Sequence, residues 1–141
     1  MHELRITVEH PNPTSPEPGR ARALEALYAT GHWLLERARI HDAASVFRGM
    51  AVLAPDDERA WLALGACHEA LKQTELALDI YGAAQVLTRP AVRARLARAR
   101  ALTLLGRDDE ADAARAGAGL AADAWGDETL VTLCVAEGGT T

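Results

Sequence analysis

The chain has 141 residues, 49% of them hydrophobic and 25% charged, which is enough apolar material for one soluble globular core. A formal net charge of −5 argues against general nucleic-acid binding. No apolar run reaches the roughly 18 residues of a membrane span, and no signal-peptide pattern is present. Cys67 and Cys134 lie far apart with no metal-type spacing, which suits a reducing cytoplasm.

Residues 1–19 differ from the rest. Leu4-Arg5-Ile6-Thr7-Val8 alternates as a short strand would, and Pro11, Pro13, Pro16 and Pro18 then forbid a regular helix. The segment reads as a flexible proline-rich arm, or as an arm that docks on a partner subunit. From about Arg20 the pattern becomes helical, with helices expected over Arg20–Arg37 and Ile40–Leu53. Pro55 is expected to open a third, Asp56–Leu71, and Thr74 to cap a fourth, Thr74–Leu87. Two more are expected over Pro90–Leu105 and Asp108–Ala122, with Gly106 stopping the first and Asp108 capping the second. Gly126 breaks the chain again before a last helix over Asp127–Ala136, and the end from Gly138 should fray.

These helices repeat. Trp61, Leu64 and Gly65 stand in the spacing W-x-x-L-G, followed by Ala77 and Tyr81, the pattern of a tetratricopeptide helix pair about 34 residues long. Ala43, Ala77 and Ala111 recur at that interval, as do Gly31 and Gly65, Leu27 and Trp61, and Phe47 and Tyr81. The third repeat is degraded, with Arg98 where Leu64 stood and Arg115 where Tyr81 stood. The fold class is therefore all-α: a TPR-like α-solenoid of three helix-turn-helix repeats plus a C-terminal capping helix. The solenoid spans 20–137, with repeats near 24–57, 58–91 and 92–125 and the capping helix near 127–137. An end repeat needs such a helix to cover its apolar side, and Leu130, Leu133 and Cys134 fit that task.

No nucleophile–base pair, phosphate loop or metal-ligand spacing is present, so no catalytic residue, metal or cofactor is expected. His68 reads as a satisfied core histidine and Cys67 as a small buried hydrophobe. The arginine run Arg89, Arg93, Arg95, Arg98, Arg100, Arg107 reads as a solvated helix. On it, Arg93 and Arg100 share a face that could read an acidic part of a ligand. The face not used for packing carries Tyr28, His32, Leu35; then Leu62, Ala66, Glu69; then Leu96, Arg100 and Thr103. Stacked repeats place these stripes side by side along a concave groove. The alternative is that the stripes are core beneath the N-terminal arm.

The segment Leu27–Leu87 resembles the class II translocator chaperones of bacterial type III secretion, the LcrH/SycD type. The resemblance rests on Leu27-Tyr28, Asp42-Ala43 with Val46-Phe47, and Leu62-Ala63-Leu64-Gly65-Ala66-Cys67. Leu76-Ala77-Leu78 and Tyr81-Gly82-Ala83 extend it. It implies a cytoplasmic bacterial chaperone that holds a secreted hydrophobic translocator before export, with an extended, proline-flanked segment of that protein in the concave groove. Tyr28, His32 and Leu35 match groove positions that are commonly aromatic in that family. A weak homodimer is implied, although the proline-rich arm departs from the helix that mediates dimerisation there. No nucleic-acid binding and no membrane insertion are expected. A general TPR adaptor, unconnected with secretion, is the alternative function.

Overall fold

The structure is a computed structural model, and it describes residues 18–138. The strand expected over 4–8, nearly all of the proline-rich arm and the last three residues lie outside the described residues. Among the described residues seven helices follow one another: α1 (Pro18–Glu36), α2 (Ile40–Leu53), α3 (Glu58–Ala70), α4 (Thr74–Leu87), α5 (Val92–Leu104), α6 (Asp108–Trp125) and α7 (Glu128–Ala136). No strand occurs among the described residues. The pairs α1/α2, α3/α4 and α5/α6 form hairpins, and each hairpin stacks on the next, with α7 closing the stack against α6.

The first two hairpins close by one device. Phe47 is fully buried in α2 and its ring lies on Gly31 of α1, so that a Cβ on Gly31 would overlap it. One repeat on, the buried Tyr81 ring lies on Gly65 in the same way. Glycine is required here because only a missing side chain leaves room for a ring against the helix backbone. The third hairpin has neither part. Ala99 stands at the glycine position and Arg115 at the ring position, and small side chains bring the helices together instead. Ala97, Ala101 and Ala111 pack with Leu102, while Ala118 and Ala122 pack with Val92 and Leu96.

The turns inside the hairpins also share one geometry. Ala38, Lys72 and Gly106 all have positive φ, of 57°, 62° and 74°. The next residue's backbone N–H donates back to the preceding helix each time: Arg39 to the Leu34 carbonyl at 3.0 Å, Gln73 to His68 at 2.8 Å and Arg107 to Leu102 at 2.9 Å. This is the Schellman closure of a helix C-terminus.

Several element boundaries differ from the sequence expectation. Helix α1 already includes Pro18, the first described residue, two positions before the expected start, and proline is tolerated in a helix's first turn. Pro55 does not open α3. Asp57 caps it instead, its side chain accepting from the Arg59 N–H at 3.1 Å, and the helix starts at Glu58. Pro90 does not open α5, because Ala91 is left-handed (φ 56°) and a right-handed helix can begin only after it, at Val92. Thr74 and Asp108 are the first helical residues rather than caps; the cap positions belong to Gln73 and Arg107, which the backbone turn holds with no side-chain cap. Helix α6 runs past Ala122 to Trp125, ending at the left-handed Gly126.

His68 is buried, and its Nδ1 lies 2.7 Å from the Gln73 Oε1, as a satisfied core histidine should. Cys67 and Cys134 are buried thiols, both pushed up in pKa chiefly by burial. No described helix is long and apolar enough to cross a membrane.

Candidate binding groove

Leading helices α3 and α5 and the terminal helix α7 surround a cavity of about 370 Å³. Each side chain reaches it for a reason of spacing. Leu62, Ala66 and Glu69 lie one turn apart on α3, and Arg93, Leu96 and Arg100 do the same on α5. On α7, Leu130 and Cys134 are four apart and pack down on Val92, Leu96, Ala118 and Ala122. That anchoring turns the adjoining pair, Leu133 and Glu137, toward the cavity. Tyr81 reaches it from α4, across the Gly65 notch.

The cavity is apolar along its floor and ionic at its rim. The Arg100 Nη1 donates to both carboxylate oxygens of Glu137, at 2.6 and 2.7 Å. Tyr81 donates its hydroxyl to the Glu69 Oε2 at 2.6 Å. Burial, and then that bond, hold the Tyr81 phenol well above its ordinary pKa. Burial likewise raises the Glu58 carboxyl at the start of α3, against the opposing pull of the Arg93 charge and the Ala94 N–H.

Five of the nine stripe residues meet here, Leu62, Ala66, Glu69, Leu96 and Arg100, while Thr103 does not line the cavity. Leu96 differs from the open stripe residue that was expected. It is only 1% exposed, because α7 folds over it and makes it floor rather than surface. Tyr28, His32 and Leu35 hold the equivalent positions one repeat earlier but do not line the cavity. Tyr28 and Leu35 are half-buried against the Phe47 core. The Tyr28 and His32 rings are 4.5 Å apart, and His32 lies 5.5 Å from the Phe47 ring. Tyr28 also carries the Arg59 guanidinium 4.8 Å above its ring. Asp57 and Glu25 bind that guanidinium, each at 2.9 Å, and tie α1 to the start of α3.

Sequence reasoning missed Leu133, Glu137 and Tyr81 as lining residues. A signal for the first two existed: they are four apart on the face beside Leu130 and Cys134, so a helix anchored by one pair must present the other.

Stacked helical hairpins enclosing such a groove define an α-solenoid of the tetratricopeptide class, whose concave side is a surface for extended ligands. No protein-family model matches the sequence, and no curated protein matches it. Solved structures do. The Yersinia enterocolitica type III secretion translocator chaperone SycD is 26% identical, with a TM-score of 0.74 over 84% of this chain and 87% of its own. SycD is also known in an alternative dimer and in complex with a peptide of the translocator YopD. PcrH of Pseudomonas aeruginosa, in complex with the chaperone-binding region of PopB, is 29% identical, with a TM-score of 0.69 over 82% of this chain and 94% of its own. A chain of a type III secretion complex from Aeromonas hydrophila is 30% identical, with a TM-score of 0.70 over 83% of this chain and 77% of its own. The chain belongs to the translocator chaperones of type III secretion.

Proposed function

We propose that this protein is a bacterial cytoplasmic chaperone that acts by binding, without catalysis, and holds an extended segment of a hydrophobic translocator in its concave groove before export. The observation that carries the proposal is the cavity between α3, α5 and α7, with Leu62 and Leu133 presenting apolar surface over the Leu96 floor, inside an ionic rim. An extended peptide offers alternate side chains to such a floor, and prolines in it lower the entropy lost on binding. Tyr28, His32 and Leu35 are proposed to continue the row toward the first repeat. A weak homodimer of the free protein belongs to the same proposal, since SycD forms dimers.

Binding energy concentrates on a few buried anchors. Leu62→Ala should therefore cost about 1–2 kcal/mol of affinity for a translocator segment from the same bacterium, roughly five- to thirtyfold in Kd. Calorimetric titration with the purified segment measures it. Arg48→Ala, at an exposed position on α2 outside the cavity lining, should leave the affinity alone. Unchanged binding by Leu62→Ala and Tyr28→Ala combined would remove the groove as the site.

A further inference from the structure

Arg93 and Arg100 stand seven residues apart on α5, and both line the cavity beside the apolar floor. Arg100 is closed by Glu137, the C-cap residue that follows α7, while Arg93 forms no ion pair among the described residues. The other carboxylate of the rim, Glu69, is occupied by the Tyr81 hydroxyl. The cavity thus holds two guanidiniums beside an apolar floor: Glu137 is hydrogen-bonded to Arg100, while Arg93 acts on the Glu58 carboxyl through its charge alone, without an ion pair among the described residues.

We infer that Glu137 stands in for a carboxylate of the ligand, and that the groove selects peptide segments carrying an Asp or Glu beside the apolar residue that enters the cavity. This rests on the groove reading above and adds the chemistry it selects. The exchange is feasible because the Arg100 side chain is 54% exposed and the Glu137 side chain 28%, and an ion pair that water reaches contributes little to stability. An incoming carboxylate takes over the Arg100 N–H donors, gains Arg93 as a second cation and leaves the Glu137 carboxylate to water. Because one interaction replaces another, the native protein discriminates only modestly. Removing Glu137 exposes the full preference.

The probes are two short synthetic peptides, each a leucine flanked by prolines, with glutamate beside the leucine in one and glutamine in the other. Affinities are measured by fluorescence anisotropy at low salt. The native protein should favour the glutamate peptide about twofold, and Glu137→Gln should widen that preference to about fivefold by tightening the glutamate peptide alone. Arg100→Gln should abolish the preference. Both variants lose the same ion pair, so any loosening of α7 is common to them, whereas their effects on the glutamate peptide are opposite. Raising salt should compress the difference. Equal binding of the two peptides by the native protein and by Glu137→Gln overturns the inference while leaving the groove intact. Failure of either peptide to bind any of the proteins overturns the inference and the groove reading together.

Discussion

The first two hairpins and the third close by different chemistry. In the former a large ring fills a notch that glycine leaves in the facing helix, at Gly31 with Phe47 and at Gly65 with Tyr81. In the latter, alanine packs on alanine and neither helix contributes a ring; the one ring in the cluster, Tyr81, comes from the preceding hairpin. A ring in a notch concentrates packing on two positions; a seam of small residues spreads it over many. The repeat's period survives because the solenoid needs its paired helices closely packed, and either device packs them.

That contrast can be broken most severely at a ring. Phe47→Ala empties a fully buried site and should cost about 3–5 kcal/mol, read as a lower urea midpoint. Filling a notch comes next. Gly65→Ala drives a methyl into the Tyr81 ring, and Gly65→Leu more so; overpacking of this kind costs about 1–3 kcal/mol, visible as a fall in Tm. The matching change in the third hairpin is smaller and of another origin. Ala99→Gly loses helix propensity without removing a notch contact, about 0.5–1 kcal/mol in the same melt. Smallest of all is Arg115→Ala. It removes bonds to Thr103 (2.8 Å) and Asp112 (3.1 Å) at a position where a ring would sit in the other hairpins, for about 0.5 kcal/mol. A cost for Arg115→Ala as large as that for Phe47→Ala would show that the third hairpin also depends on its ring position.

Glycine, alanine and an aromatic at a fixed interval were legible in the chain because each is forced by close approach. The position of α7 was legible only in part. Leu130 and Cys134 announce that it covers the last hairpin, but that its other face walls the groove follows from how it leans on α5 and α6. The Arg100–Glu137 pair joins residues 37 apart, and no local pattern connects them. Capping was misread at Thr74 and Asp108 because those turns are closed by backbone bonds, one residue earlier than the favourable side chains. Leu96 read as a groove surface because helical spacing fixes its direction and says nothing of what folds on top.

The three hairpin turns ask for a left-handed residue, and only the third supplies glycine. Ala38 and Lys72 hold φ values of 57° and 62° against the repulsion between their own Cβ and the following carbonyl. Native stability is therefore below what this architecture permits, and the shortfall sits in solvent, away from the cavity lining. Ala38→Gly and Lys72→Gly would relieve it without touching the cavity residues, leaving affinity as it stands. Such a background gives a tolerant host in which a weakened groove or core variant still folds, so that loss of binding and loss of structure can be told apart.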